Sequence, residues 1–470
     1  MEETWSSSSL DLHLDWTRTA RPARALADAL RAAIRSGQLR PGAIVPSTRA
    51  LAADLGLARG TVSGVYADLG AEGYLTIRHG APTRVAAGLN PRPARTGRTA
   101  PAERAPAPRW NLSPGQPDLS AFPRAAWSAA TRRVMARAPA EALGHGDPLG
   151  DMHLRRTLAA YLHRTRGVLA EPAQVVVGSG YAHLLAWWSH VMRARGLRTA
   201  AFENPSLPAL REVAAAAGLR IAAVEVDDDG LRVADIDAPV VVVTPAHQYP
   251  LGVTLEPSRR AALARRAIGS GLLVLEDDYD GEFRFDRRPV GALQAMAPEH
   301  IAYAGTTSKT LAPGLRLAWL VVPKRLLREF REIAPALGER HPSTIDQLVL
   351  TDLIDTGSYD RHVRRMRASY RRRRDRVLAA VDPRLVLPAG IAAGLHLVLQ
   401  FPSGGPDDAT VTRIARRHLL EVGLLSPSWV DPTGRPNGII VGYAAPADHA
   451  FTPALDALRA TLRELASERA

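Results

Sequence analysis

A stretch that has nothing to bury divides this chain. "AGLNPRPARTGRTAPAERAPAPR", residues 87–109, is mostly Pro, Ala and Arg, with five Arg against one Glu. Such a composition favours an extended, solvated backbone and reads as a linker. Folding must then occur on either side of it, in a small unit over 14–86 and a large one over 110–470. At 470 residues the chain is in any case too long for one ordinary core. The net charge of +13 suits a polyanionic partner. There are no cysteines, which excludes disulfides and thiolate metal sites. The opening "MEETWSSSSLDLHLDW" lacks a signal-peptide core, and no run approaches the ~18 apolar residues of a membrane span. The expectation is a cytoplasmic protein with no membrane partner.

The small unit is helical in pattern. "PARALADALRAAIRSG" places Leu26, Leu30, Ala33 and Ile34 on one face, between a Pro start and a Gly stop. "PSTRALAADLG" follows, with Ser47 as N-cap and Leu51 and Leu55 four apart. A third helix puts Val62, Val65, Tyr66 and Leu69 inward, and "YLTIRHGAPTRVA" predicts a hairpin around a Gly-Ala-Pro turn. Helix, helix, turn, helix and hairpin make a winged helix-turn-helix. Residues 45–75 resemble the winged helix of GntR-type regulators. That resemblance implies operator DNA as partner, with Arg49 at a phosphate and Arg59 and Thr61 at base edges or nearby phosphates; Ser47 is a further DNA-binding candidate, and Arg78 and Arg84 in the wing are placed to add backbone contacts. Gly60 stands where the family often has a larger polar residue. Residues 16–86 carry ten Arg against Asp28, Asp54, Asp68 and Glu72, a balance that favours DNA over a protein-interaction module.

The large unit alternates short β-rich runs, among them "QVVVGSG", "TAAFENP", "VVVVTPAH" and "GLLVLEDDYD", with helical stretches such as 181–195, 207–217 and 257–269. This predicts an α/β fold with a mostly parallel sheet covered on both faces, and a smaller C-terminal lobe. Polar residues sit at the strand ends, where open α/β sheets bind ligands.

Of 60 basic residues only Lys309 and Lys324 are lysines. A lysine amine can lose its proton and attack a carbonyl, which a guanidinium cannot, so a lysine kept in an arginine-preferring chain is a candidate Schiff-base nucleophile. Lys324 lies beside Arg325 at a predicted helix start and reads as surface charge. Around Lys309, the hydroxyls of Thr306, Thr307 and Ser308, the small Gly305, and Arg316 suit a phosphate. A lysine beside a phosphate cradle suggests pyridoxal 5'-phosphate (PLP), which also needs a carboxylate at its pyridine nitrogen. Strand alternation puts Asp277 and Tyr279 on one face, with Glu276 and Asp278 on the other. No His stands near this acidic cluster at metal-like spacing, so no metal is expected.

"TPAHQYPLGVTL", "EDDYDGEFRFDRRPVGAL" and "GTTSKTLAPGLRLAWLVVP" resemble MocR-type regulators, which join a GntR-type winged helix to a fold-type I aminotransferase-like domain. The resemblance implies a Schiff base at Lys309, Asp277 at the pyridine nitrogen, and Tyr279 and His247 flanking the phenolic oxygen. It also implies a phosphate site made by Thr306, Ser308 and Arg316 with Ser179, Gly180 and Tyr181 at a helix N-terminus. A further implication is a domain-swapped homodimer in which each linker carries its winged helix across to the partner. The chain departs from that pattern at Ala182 and His183, Leu207 and His145. It departs also at Ile440, where the family usually carries the arginine that receives a substrate α-carboxylate. Three readings follow: a PLP-binding transcription regulator, a working aminotransferase with a DNA-binding appendage, and a regulator that has lost PLP. Lys309 and Asp277 argue against the third and Ile440 against the second. The loss of carboxylate recognition beside an intact cofactor set suggests PLP itself as effector, with vitamin B6 genes as targets. An amino acid reacting with bound PLP is the alternative.

Overall fold

The computed structural model describes residues 4–7, 12–15, 21–87, 108–285, 290–337 and 342–468. Residues 88–107 of the expected linker lie outside them. The chain divides into two compact units, Met1–Ala105 and Pro106–Ala470.

In the first unit strand β1 (Thr4–Ser7) pairs antiparallel with β2 (Leu12–Asp15). Helices α1 (Pro22–Arg35), α2 (Thr48–Leu55) and α3 (Arg59–Ala71) follow. Each buries the apolar stripe that its spacing predicts: Leu26, Leu30 and Ile34; Leu51 and Leu55; Val62, Val65, Tyr66 and Leu69. The Ser47 hydroxyl caps α2 by accepting from the Ala50 amide at 3.1 Å. Strands β3 (Leu75–Thr76) and β4 (Arg84–Val85) form the hairpin, and Ile44 bridges to Arg84 as a third short rung. Arg31 ties α1 to the end of α3 through Glu72, and the Tyr66 hydroxyl donates to the Pro46 carbonyl at 2.8 Å.

The second unit starts with β5 (Trp110–Leu112), α4 (Arg124–Met135) and α5 (Met152–Arg166). Its main sheet uses β6 (Val175–Gly178), β7 (Thr199–Asn204), β8 (Arg220–Asp227), β9 (Gly230–Leu231), β10 (Val240–Val243), β11 (Leu273–Asp277), β12 (Ile301–Thr306) and β13 (Ala318–Val321), in the order β6-β13-β12-β11-β10-β7-β8-β9. The central run from β12 to β8 is parallel; β13 is antiparallel to both its neighbours, and β9 to β8. Helices α6 (Tyr181–Ala194), α7 (Pro208–Ala216) and α8 (Pro257–Ser270) connect the strands, and α9 (Leu327–Ile333) and α10 (Thr344–Asp355) follow. Along β10, Val240 and Val242 enter one core while Val241 and Val243 enter another. Burial on both faces is why this strand is an unbroken apolar run.

The long helix α11 (Ser358–Ala380) leads to a smaller lobe of β14 (Leu387–Ala389), β15 (Leu397–Gln400), α12 (Asp408–Arg417), β16 (Leu420–Leu424), β17 (Gly438–Val441) and α13 (Asp448–Ser467). Its five-stranded sheet runs β14-β15-β17-β16-β5. The first strand of this unit thus closes the edge of its last lobe, pairing parallel with β16. That pairing spans some three hundred residues of chain. Among the described residues no helix is long and apolar enough to cross a membrane.

Candidate functional site

The parallel strands end together. Phe202 and Glu203 of β7, Val242 and Val243 of β10, Asp277 of β11 and Thr306 of β12 line one cavity of about 250 Å³ with Tyr181, Ala182, Leu207, Thr244, Tyr249, Tyr279, Ser308 and Lys309. This is the carboxyl edge of the sheet, as open α/β folds place their ligands.

β11 ends at Asp277, and Tyr279 sits in the bend beyond it. Both nevertheless face the cavity. The residues between and before them turn away: Glu276 accepts from the Leu293 and Gln294 amides at 2.9 and 2.8 Å, and Asp278 accepts from Arg166 Nε at 2.6 Å and the Tyr303 hydroxyl at 2.7 Å. Burial, and then the neighbouring Asp278, hold the Asp277 carboxyl well above the usual carboxylate range, while Lys309 pulls it down. Burial lowers the Lys309 amine below the ordinary lysine value, and Asp280 and Asp277 pull it back up. The amine donates to the Gly115 carbonyl at 2.6 Å. Gly115 has φ +79°, a conformation that favours glycine, and a Cβ there would crowd Lys309 Nζ at 3.0 Å. Lys324, the other lysine, is exposed and 3.5 Å from Glu171, a pair of little energetic weight.

Beside Lys309, Thr306 Oγ1 lies 2.9 Å from Ser308 Oγ. Across the cavity α6 begins at Gly180, with no side-chain cap over its first amides. The Ser179 amide is taken by His183 Nδ1 at 3.1 Å. The Arg316 guanidinium lies over Gly180, where a Cβ would stand 3.1 Å from Cζ. Arg316 itself has φ +54°, a left-handed conformation costly for a non-glycine residue. An uncapped helix N-terminus, a guanidinium held there by a strained backbone and two hydroxyls form a ready anion site.

His247 stands behind this wall. Its Nδ1 lies 2.8 Å from Asp280 Oδ2 and 3.1 Å from the Tyr279 hydroxyl, and its ring is closed in by Gly252 and Gly394. It is not itself on the lining and meets the cavity through Tyr279, the residue with which it is expected to flank the phenolic oxygen. Asp280, which the sequence reading left unassigned, fixes the ring.

Glu203, Thr244, Tyr249 and Gly115 were also unassigned. Glu203 is buried on the cavity wall, accepts from the Thr244 amide at 3.2 Å and from the Thr244 hydroxyl, and is pushed up to about 7 by burial. Its place in "FENP", at the end of an apolar run, was the available signal. Ile440 is not among the residues lining the cavity. It is buried in β17 with Val398 and Leu425, beneath Tyr249 and Leu251.

In the winged helix, Arg49 is exposed on α2, and Arg59 and Thr61 occupy the first turn of α3. Arg78 is exposed between β3 and β4. Arg84, exposed as well, donates to the Gly42 carbonyl at 3.0 Å and so braces the wing.

The chain matches the family model "Bacterial regulatory proteins, gntR family" over residues 22–85 and "Aminotransferase class I and II" over residues 108–398. It is 33% identical over 425 residues to the HTH-type pyridoxine biosynthesis transcriptional regulator PdxR of Corynebacterium glutamicum, covering 89% of this chain and 91% of that protein. It is 31% identical to the probable rhizopine catabolism regulatory protein MocR of Rhizobium meliloti, covering 95% of each. The crystal structure of an archaeal alanine:glyoxylate aminotransferase shares the fold, with a TM-score of 0.69 at 23% identity over 76% of this chain and 91% of that one. A gntR-family DNA-binding unit followed by a fold-type I aminotransferase unit, in the order and extent of these relatives, makes the chain a member of the MocR-type transcription regulators.

Proposed function

We propose that this regulator binds PLP in the cavity and that PLP itself, without an amino acid, sets its DNA binding. The observation that carries the reading is the composition of the lining: Lys309 is its one cation and stands beside Asp277, and apart from Arg316, which this reading gives to the phosphate, the lining has no second cation for a ligand carboxylate. The residues present fit the cofactor. The Tyr181 hydroxyl is buried on the cavity wall beside Asp277, and its interaction with that carboxyl helps keep it protonated. The Arg316 guanidinium over Gly180, at the start of α6, supplies a cation for a phosphate.

In this reading Asp277 holds the pyridine nitrogen, and Tyr279, positioned by His247 and Asp280, holds the phenolic oxygen. Ser179, Gly180, Tyr181, Thr306, Ser308 and Arg316 hold the phosphate. PLP supplies an aldehyde that condenses with an amine and a ring that withdraws electrons. Lys309 provides the amine; its burial favours the neutral form that attacks a carbonyl. Ser47, Arg49, Arg59, Thr61 and Arg78 contact operator DNA. The protein acts as a cytoplasmic homodimer in which the linker 87–109 carries each winged helix (14–86) to the partner's 110–470 unit. Its targets are genes of vitamin B6 synthesis or salvage, by likeness to the relative named for pyridoxine biosynthesis. Transaminase catalysis is disfavoured, because a buried carboxylate without a cation costs several kcal/mol.

The test is a visible absorbance scan of PLP-loaded protein. A Schiff-base band is expected that disappears in Lys309→Ala and persists in Lys324→Ala. A band retained by Lys309→Ala overturns the assignment.

A further inference from the structure

One strongly charged surface has no role in the function proposed above. On α11, Arg361, Arg364, Arg365, Arg371, Arg372 and Arg376 are all exposed. With 3.6 residues per turn they fall within an arc of about 140°, along about 22 Å of helix. Asp375 is the one carboxylate in that arc. The helix cannot rotate to relieve the crowding, because Val363, Met366, Tyr370 and Val377 fix its other face in the core.

Several surface arginines elsewhere pair with acids, as in Arg259–Asp227, Arg417–Glu464 and Arg435–Glu225. Those in the α11 arc do not. Arg361 is held by the Ser358 hydroxyl at 2.8 Å, Arg365 by the Ala121 carbonyl at 3.4 Å and Arg376 by the Thr452 hydroxyl at 2.7 Å, all neutral acceptors that leave the charge uncompensated. Arg364, Arg371 and Arg372 have neither a hydrogen bond nor an ion pair among the described residues. Like charges on successive turns repel, so the unpaired row lowers the stability of the helix that carries it. An external polyanion would relieve that repulsion.

The geometry selects among polyanions. Arg364 and Arg372 are eight residues apart, about 12 Å along the axis, which is about the width of the B-DNA major groove between facing phosphate rows. A membrane-surface helix would need an apolar face free to insert, and here that face is in the core. A single-strand platform would need exposed aromatics, and α11 exposes none. We infer that the arginine face of α11 is a second, sequence-independent contact to the phosphates of duplex DNA. This rests on the regulator reading, and adds a DNA-binding surface to the aminotransferase-like unit.

The test uses full-length protein and fluorescence anisotropy over a range of salt concentrations. The probes are a duplex selected by the protein from a random pool and an unselected duplex of equal length. Replacing Arg364, Arg371 and Arg372 together by Ala should lower the slope of log K against log salt by about 2–3, since each phosphate contact contributes about 0.9. Both duplexes should weaken by the same factor, leaving discrimination intact. Arg59→Ala should do the reverse, reducing discrimination. An unchanged slope in the triple variant overturns the α11 proposal while the regulator reading stands. Wild-type protein that cannot enrich any sequence from the pool fails the regulator reading instead. A change of oligomeric state by sedimentation, with the slope unchanged, would assign the face to contact between copies and also overturn the proposal.

Discussion

Where the cavity meets β11 and β12 its wall is Asp277, Tyr279, Thr306, Ser308 and Lys309; where it meets α7 its wall is Phe202, Leu207, Leu210 and Val242. The first half is polar, charged and braced from behind: His247 and Asp280 support Tyr279, and Gly115 holds the Lys309 amine. The second half is apolar, and its one ionisable group, Glu203, has its pKa raised by burial. A carboxylate ligand would find there an acid and aliphatic side chains. The comparison teaches that cofactor recognition and ligand recognition are separable in this fold, because they are built on different strand ends. One can be kept while the other is replaced by packing.

That separation can be broken by experiment. The largest effect is expected in the cofactor half. Asp277→Ala removes the partner of a buried cationic ring, an interaction whose loss costs about 3–5 kcal/mol, so PLP affinity should fall by more than ~100-fold in an absorbance titration. An affinity within ~10-fold of wild type would mean that Asp277 does not face the ring.

Ile440→Ala probes the other half. Truncating a fully buried aliphatic should destabilise the protein by about 2–5 kcal/mol in urea unfolding. PLP affinity should stay within a few-fold. A large loss of affinity with unchanged stability would place Ile440 at the ligand and contradict its position in the apolar cluster.

Next comes Arg316→Ala, expected to weaken PLP by about 1.5–3 kcal/mol as one charge-assisted contact is lost. Binding of pyridoxal, which has no phosphate, should be unaffected. Equal losses for both ligands would remove Arg316 from the phosphate site.

The smallest effect concerns pH. The Glu203 carboxyl, ordinarily near 4.5, is pushed up to about 7 in the folded protein. The folded state then keeps a proton that the unfolded chain has released. The stabilisation is full below about 4.5 and is lost as pH rises through about 7. Glu203→Gln should flatten part of this decline, with Glu276 and Glu282, similarly raised, also contributing. A pH profile identical to wild type would show that Glu203 is ionised at neutrality.

Much of this was legible from residue order alone, for physical reasons that differ by region. The three N-terminal helices carry their own apolar stripes, and Ser47 caps the second, so periodicity located Leu26, Leu51 and Val62 in one core. Lys309, Asp277 and Thr306 could be found because strand ends are where local sequence and ligand position coincide. What could not be read depends on distant pairing. Gly115 meets Lys309 across 194 positions, inside a Pro-Gly turn that looks like any other. β5 joins the lobe built by the far end of the chain, which no local pattern announces. His247 needed Asp280 to be understood, and strand alternation stops being a guide where β11 ends, at Asp277.

The most direct test of PLP as the effector is a titration of PLP-free protein on its selected duplex, first with PLP alone and then with PLP plus a panel of amino acids. PLP alone should change the duplex affinity or footprint, and Lys309→Ala should not respond. Amino acids should add little, since with Arg316 at the phosphate the cavity offers them no second cation. A large further change with one amino acid, accompanied by a shift of the visible band, would contradict the PLP-sensing account and establish an amino acid as the ligand.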